Sequence, residues 1–334
     1  GRFEFSAVFE VYPEVELGDL SAQEIERPVV AIGDAEVDKT IEILRQQRAR
    51  YEPVERAATN GDEVEIDFLG TLDGTPFAGG EGKNARLVLG QGHWLADFEN
   101  GIVGMKAGET RDVSVSFPEN YQAAELAGKT ASFAITLHKV SAPVLPELAA
   151  DFARELGIED GDVATLRKEI KENLEREARR RVRANIRDQA MEKLLQVADF
   201  PLPGALLESE IERLAARALN ELAARGMKVP EGASLGRELF QDQAQRRVKL
   251  GLIVAALVEK HALHARPEQV RAMVEEQAQS FEKPEELVHW AYSNPGRLDE
   301  IEGLVMEDNV VAWVLERARV SDKPTALDEL MGGA

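Results

Sequence analysis

The chain has 334 residues, of which 44% are hydrophobic, and its formal net charge is −21 at pH 7. Because single domains usually have about 100 to 200 residues, this length predicts two or three domains. The negative charge disfavours nucleic acid and anionic lipid as partners, and the lack of cysteine excludes disulfides, thiol catalysis and zinc–thiolate sites.

A half-buried strand is predicted at the start of the chain. Apolar residues alternate there with polar ones: Phe3, Phe5, Ala7, Phe9 and Val11 against Glu4, Ser6 and Glu10. An acidic connector follows, and then a helix that Asp34 caps and Pro53 ends, with Val37, Ile41, Leu44 and Tyr51 near helical spacing. Since the chain starts at Gly1, directly before a strand without neighbours, we expect a fragment of a longer protein.

The segment 64–140 is predicted to form short antiparallel strands. The alternating runs are Val64, Ile66 and Phe68; Val113, Val115 and Phe117; and Ala131, Phe133, Ile135 and Leu137. Asp73-Gly74 predicts a hairpin turn, and Leu87–Leu89 a short strand. The segment has closely spaced glycines and aromatic residues, but no cluster that could serve as acid, base, nucleophile or metal ligand. An apolar pocket of this kind suits rotation about an X-Pro bond, in which no covalent bond is made or broken.

Beyond a linker marked by Pro143 and Pro146, the sequence predicts only helix. Apolar or small residues recur at every fourth position: Leu166, Ile170, Leu174, Ala178, Val182, Ile186, Ala190 and Leu194. Four residues turn about 400° on a helix, so this stripe drifts by about 40° per step and should contact different neighbours along its length. Amphipathic segments follow at Leu207–Leu222, Leu239–Leu257, Val270–Phe281, Leu287–Tyr292 and Ile301–Leu315, with Pro203, Pro267, Pro284 and Pro295 at or near their starts.

Three other patterns suggest sites, and each has a simpler interpretation. Gly90-x-Gly92 could indicate phosphate binding, but no Lys-Ser/Thr or third glycine follows. His261 and His264 could share a metal, but no third ligand is evident nearby. The arginines at 179–181, 183 and 187 could bind nucleic acid, although they are interleaved with glutamates as on a solvated helix face.

Two motifs resemble a known enzyme family. The run Gly90–Glu109 (GQGHWLADFENGIVGMKAGE) and the run Phe117–Tyr121 (FPENY) are similar to the core of FKBP-type prolyl isomerases. The opening Phe9–Val15 (FEVYPEV), the FKBP-like insert, the helical tail and the ending Leu327–Met331 (LDELM) together resemble the trigger factor family over essentially the whole chain.

The resemblance implies an α+β fold: an FKBP-like antiparallel β domain with a short helix, and an elongated all-α chaperone domain with helical arms. It divides the chain into a remnant strand of a ribosome-binding domain (1–15), a linker with a helix (16–53), the FKBP-like domain (54–142) and the helical chaperone domain (143–334). Because most of the N-terminal domain of that family is missing, ribosome docking is expected of the full-length protein and not of this fragment.

The resemblance also implies a function. We expect an ATP-independent chaperone that holds unfolded or nascent polypeptide and isomerises X-Pro bonds, needs no cofactor or metal, and acts in the cytoplasm, with roles in protein export and cell division. No membrane association is expected, since the longest apolar run, Val248–Val258, includes Lys249 and is shorter than the roughly 20 residues of a membrane span. Weak homodimerisation through the first strand stays open.

The site residues come from the same resemblance. It assigns catalysis to Phe98, Leu95, Tyr121 and Phe68, and substrate binding to Phe77, Trp94 and Phe133. Phe98 takes the place of the aromatic at the pocket floor, the Leu95 N–H that of a group that holds a substrate carbonyl, and Tyr121 adds a hydroxyl. Ala78 and Ala96-Asp97 depart from the family pattern, and Asp97 is expected to put a charge at the rim or shift the backbone. Two alternatives are a stand-alone isomerase whose helices only dimerise it, and a non-enzymatic adaptor.

Overall fold

The structure is a computed structural model that describes residues 10–123, 125–227, 235–279, 281 and 283–332. The predicted first strand falls mainly on residues 1–9, which lie outside the described residues. In chain order the elements are β1 (Glu24–Val29), α1 (Asp34–Gln47), β2 (Arg50–Pro53), β3 (Glu63–Leu72), β4 (Thr75–Val88), α2 (Ala96–Ile102), β5 (Thr110–Ser116), β6 (Thr130–Val144), α3 (Ala150–Glu155), α4 (Val163–Val197), α5 (Gly204–Ala224), a 3-10 helix (Arg237–Phe240), α6 (Gln241–His261), α7 (Pro267–Ala278), α8 (Pro284–Ser293), α9 (Pro295–Leu315), β7 (Arg319–Pro324) and α10 (Leu327–Met331).

The chain divides into two compact units. We call Ile32–Leu174 the sheet unit, and Gly1–Ala31 together with Glu175–Ala334 the helical unit. The combination of an antiparallel sheet with a helical C-terminal region confirms the predicted α+β class. Within the described residues, no helix has the length and apolar character needed to span a lipid bilayer.

The sheet unit is built on a five-stranded antiparallel sheet, in which four strands follow the order β2-β6-β3-β4 and the fifth, β5, also pairs with β6. The long strand β6 pairs with β3 along one edge, and its other edge is shared by β5 and β2. Asp73 and Gly74 both have positive φ, 51° and 81°, as a type I′ hairpin requires, which confirms the predicted turn. Val64, Ile66 and Phe68 face the core, as their alternation predicts.

Two predicted boundaries in this unit are wrong. The first helix ends at Gln47 and not at Pro53, because Tyr51 pairs with Pro143 as part of β2. The short strand predicted at Leu87–Leu89 is the end of β4, which begins at Thr75. The glycines of β4 have low strand propensity, but its pairing with β3 stabilises the extended backbone.

The helical unit contains a strand pair that the prediction of helix alone missed. β7 pairs in parallel with β1, and Ile25, fully buried, lies opposite Val320. The Gln189 side chain on α4 hydrogen-bonds both the N–H and the C=O of Glu26, which covers the backbone of β1 at that point. The predicted helices at the four prolines are confirmed, since α5, α7, α8 and α9 start within one residue of them.

Helix α4 contributes to both units, in agreement with the drift of its apolar stripe. Leu166 is buried with Val37 and Phe152 in the sheet unit. Ala190 and Leu194, further along the same stripe, are buried in the main core of the helical unit. One helix therefore packs against different neighbours at its two ends.

Candidate functional site

Seven aromatic rings form one connected cluster in the sheet unit. The ring centroids lie 5.3 Å apart for Phe68–Trp94, 5.6 Å for Phe68–Phe98, 5.3 Å for Phe98–Phe133, 5.8 Å for Phe77–Phe133, 6.3 Å for Phe77–Phe117 and 4.7 Å for Phe117–Tyr121, and most pairs meet edge to face. With Tyr121 joined through Phe117 and Leu95 packed on the same core, the structure brings together all seven residues that the resemblance assigned to the site. Phe117, which the sequence analysis treated only as a strand residue, is the link to Tyr121.

The Phe98 ring is covered by Trp94. The two rings stack with a centroid distance of 5.0 Å and an interplanar angle of 19°. Phe98 is only 2% exposed, whereas Trp94 is partly exposed. A ligand therefore meets the Trp94 indole before it meets Phe98.

Strand glycines make room for these rings. A Cβ on Gly82 would lie 2.4 Å from the Phe68 ring, and a Cβ on Gly70 would lie 2.6 Å from the Phe133 ring. In the sheet, Gly82 is the partner of Phe68 and Gly70 the partner of Phe133. The glycines thus allow each ring to lie flat over the neighbouring strand.

Leu95 is the N-cap residue of the short helix α2 and leaves its N–H available. Its carbonyl oxygen accepts hydrogen bonds from the N–H groups of Phe98 (2.9 Å) and Glu99 (3.1 Å). Among the described residues no acceptor is found for the Leu95 N–H. A backbone donor at the start of a helix, beside Trp94, can hold a carbonyl oxygen of a ligand.

Glu99 fixes the loop that carries Trp94. Its carboxylate is 4% exposed and accepts backbone N–H groups from Gly90 (2.8 Å), Trp94 (3.0 Å) and, more weakly, Gly92 (3.5 Å). These contacts use the N–H groups that phosphate binding would need, which argues against that interpretation of the glycines. In the sequence, only the position of Glu99 one residue after Phe98 could have indicated this role.

Tyr121 and Asp97 lie at the edge of the cluster. Tyr121 is 37% exposed, and no hydrogen bond to its hydroxyl is found in the part of the chain that the structure describes. Asp97 is exposed, and its Oδ2 accepts the N–H of Ser116 at 3.0 Å, which ties α2 to the end of β5. Ala78 is exposed on β4.

The arginine cluster of α4 is engaged with acidic residues. Its ion pairs are Arg179–Glu175, Arg180–Glu177, Arg181–Glu177, Arg183–Glu276 and Arg187–Glu307. The pairs with Glu175 and Glu177 lie along α4, as on a solvated helix face, whereas Glu276 lies on α7 and Glu307 on α9. Of the two histidines considered as ligands, His261 packs against Trp313 and the His264 Nε2 lies 3.8 Å from Glu259.

Large apolar side chains are exposed on the helical unit, outside the sheet. They are Met227 (51% exposed) shortly after α5, Leu239 (74%) in the 3-10 helix, Phe281 (56%) shortly before α8, and Trp290 (50%) and Tyr292 (47%) on α8. Side chains of this size on the surface are available to contact an apolar partner.

Comparisons with known proteins place this chain among bacterial chaperones. A family model described as bacterial trigger factor protein C-terminus matches residues 162–316, one described as FKBP-type peptidyl-prolyl cis-trans isomerase matches 54–138, and one described as bacterial trigger factor protein matches 1–44. The last match extends past residues 1–15, so the single remnant strand expected of that N-terminal domain was too short.

Curated relatives match over the whole chain. A trigger factor of Azoarcus sp. (strain BH72) is 53% identical over 334 residues, which is 100% of this chain and 76% of that protein. One of Laribacter hongkongensis (strain HLHK9) is 52% identical, over 100% of this chain and 77% of that protein. A solved structure of the trigger factor chaperone aligns with 91% of this chain and 73% of its own, with 20% identity and a TM-score of 0.43.

Proposed function

The chain belongs to the bacterial trigger factor family, so it is a chaperone with an FKBP-type peptidyl-prolyl cis-trans isomerase domain, and we propose that its aromatic cluster is the isomerase site. The observation that carries this proposal is that the seven expected residues meet around Trp94 and Phe98 without a reactive group among them. In the proposal the enzyme acts in the cytoplasm on unfolded or nascent chains.

The site lowers the barrier by favouring a twisted amide. Rotation of an X-Pro bond costs about 18 to 20 kcal/mol because it breaks amide resonance. The twisted bond is less polar than the planar one, so an apolar surface binds it in preference, and catalysis is differential binding. In this proposal the Leu95 N–H holds a neighbouring carbonyl, the Tyr121 hydroxyl donates a second hydrogen bond, and Phe68, Phe77 and Phe133 support the rings.

Access to Phe98 requires movement of Trp94. The indole stacks on Phe98 and is the more exposed of the two rings. We place the substrate prolyl ring against Phe98 after the indole has moved aside. The substitution Trp94→Ala then uncovers Phe98 and keeps activity, whereas Phe98→Leu removes the surface itself.

Proline-limited refolding of a client protein tests this proposal. We expect Phe98→Leu to lower kcat/KM about tenfold, equivalent to about 1.4 kcal/mol of lost transition-state binding. Phe152→Leu is a matched control, because Phe152 is equally buried at 2% exposure in another cluster of the sheet unit. If both variants lose the same activity, or if neither loses any, the aromatic cluster is not the site.

For the chaperone activity we propose that clients contact the exposed apolar side chains of the helical unit. Trp290 and Tyr292 lie on α8 with their side chains about half exposed. The double substitution to serine should shorten the delay of client aggregation, measured by light scattering without nucleotide. Ile43→Ser on α1, 45% exposed in the sheet unit, is the control. An unchanged delay in the double variant contradicts the assignment.

A further inference from the structure

A hydrogen bond joins the two sides of the aromatic cluster. Asp97 directly precedes Phe98, and Ser116 directly precedes Phe117. The Asp97 Oδ2 accepts the Ser116 N–H at 3.0 Å, whereas the ring-to-ring path from Phe98 to Phe117 passes through two other aromatic rings. An exposed carboxylate therefore ties the backbone on the Phe98 side of the cluster to the backbone on the Phe117 side.

The Ser116 N–H points away from the neighbouring strand. β5 pairs with β6, and the residue after Ser116, Phe117, donates its N–H to the Lys129 oxygen at 2.9 Å on that side. Successive N–H groups of a strand point to opposite edges, so the Ser116 N–H lies on the outer edge of β5. Asp97, in the first turn of α2, accepts it there.

The far end of α2 is held on the same strand. Arg111 of β5 donates to the carbonyl oxygens of Gly101 (2.8 Å) and Val103 (3.3 Å) at the end of the helix. Loss of the Asp97 contact would therefore free the first turn of α2 while the last turn stays in place. That first turn follows directly on Leu95, the N-cap residue.

The two proposed hydrogen-bond donors of the site lie on opposite sides of this contact. The Leu95 N–H lies two residues before Asp97 in the chain. Tyr121 belongs to the side of Phe117, since the two ring centroids lie 4.7 Å apart and the Tyr121 N–H donates to the Pro118 oxygen at 3.1 Å. The distance between the two donors thus depends on how α2 is joined to the end of β5.

We propose that Asp97 is a positioning residue of the isomerase site and sets the distance between the Leu95 N–H and the Tyr121 hydroxyl. The inference rests on the proposed isomerase site and adds a residue that acts without touching the substrate. A twisted amide that binds both donors tolerates little error in their spacing, because a misplaced donor does not stabilise the transition state. Asp97 acts through its hydrogen bond, so an amide oxygen at the same position can replace the carboxylate.

Isomerisation of a short blocked peptide, Ala-Leu-Pro-Phe, by the full chain tests the role of this bond. Asp97→Ala removes the acceptor and should lower kcat/KM roughly fivefold, whereas Asp97→Asn keeps an acceptor oxygen and should retain at least about half of the parent value. Glu109→Ala is the matched control, because Glu109 is also exposed and also accepts a backbone N–H, from Lys106 at 3.1 Å. The control should leave kcat/KM within about twofold of the parent value.

A double-mutant cycle separates positioning from a general effect on the fold. Tyr121→Phe should lower kcat/KM about fivefold in the parent chain but no more than about twofold in Asp97→Ala, where the hydroxyl is already misplaced. If Asp97 only stabilised the fold, the two losses would be independent and their factors would multiply.

The results separate this inference from the isomerase site itself. Equal losses in Asp97→Ala and Glu109→Ala overturn it, and so does a loss in Asp97→Asn as large as that in Asp97→Ala. Independent losses in the double-mutant cycle, or an unchanged kcat/KM in Tyr121→Phe alone, also overturn it. Each of these results leaves the site standing as long as Phe98→Leu loses activity on the same peptide. Full activity of Phe98→Leu contradicts the site.

Discussion

Replacement of Glu99 by glutamine should destabilise the sheet unit. The carboxylate is buried and accepts backbone N–H groups from Gly90, Trp94 and, more weakly, Gly92. In glutamine one oxygen becomes an amide donor, so at least one backbone N–H loses its acceptor, at a cost of about 1 to 3 kcal/mol. The remaining bonds lose their charge assistance, about 1 kcal/mol more. We expect a total loss of about 2 to 4 kcal/mol.

Urea unfolding measures this loss. Trp94 fluorescence reports on the sheet unit when Trp290 and Trp313 are replaced by phenylalanine. Glu109→Gln is the matched control, since the exposed Glu109 accepts one backbone N–H, from Lys106 at 3.1 Å. We expect its effect to stay within about 0.5 kcal/mol, as at most surface positions. If Glu99→Gln costs no more than Glu109→Gln, the carboxylate does not hold the loop.

Three further changes have distinct expected outcomes. Burial alone would raise the pKa of Asp62, but hydrogen bonds from Arg56 and Thr59 outweigh it and lower the pKa. In urea titrations above about pH 4, Asp62→Asn should therefore lower the free energy of unfolding by about 1 to 3 kcal/mol. The difference in stability between variant and parent should fade as the pH drops through the lowered pKa. Gly82→Ala should lower the free energy of unfolding by about 1 to 3 kcal/mol, because the added Cβ meets the Phe68 ring. Gly251→Ala, where the added Cβ on α6 meets open space, should raise the free energy of unfolding by about 0.5 to 1 kcal/mol. Tyr121→Phe should lower kcat/KM in the refolding assay without changing the unfolding free energy, and equal activity would show that its hydroxyl is not used.

Short sequence patterns correctly predicted those elements whose geometry depends only on neighbouring residues. The hairpin at Asp73-Gly74 follows from two residues that tolerate positive φ. The helices at the four prolines follow from a missing N–H that costs nothing in a first turn. The drift of the α4 stripe predicted a helix with different neighbours along its length, because that geometry depends on the helix alone.

Features that depend on distant residues could not be predicted in this way. β1 and β7 pair across 295 positions of the sequence, as in the Arg27–Asp322 contact, and neither strand alternates strongly enough to identify it alone. Tyr51 fits a helical pattern, but its pairing with β6 decides its conformation. Glu99 was missed for a related reason, since a glutamate in a short helix is normally exposed and its partners lie in a preceding loop.

The buried carboxylate also explains how a charge can lie next to a site that works by being apolar. A carboxylate that pointed at the substrate would favour the hydrated planar amide and oppose catalysis. The Glu99 oxygens are instead directed at the backbone of the loop, where the N–H groups of Gly90 and Trp94 bind them. The side chain thus holds the loop that leads to Leu95, whose N–H is the proposed donor to a substrate carbonyl, without adding a charge to the aromatic surface. Stability and isomerisation should therefore fall together in Glu99→Gln, whereas Tyr121→Phe separates them.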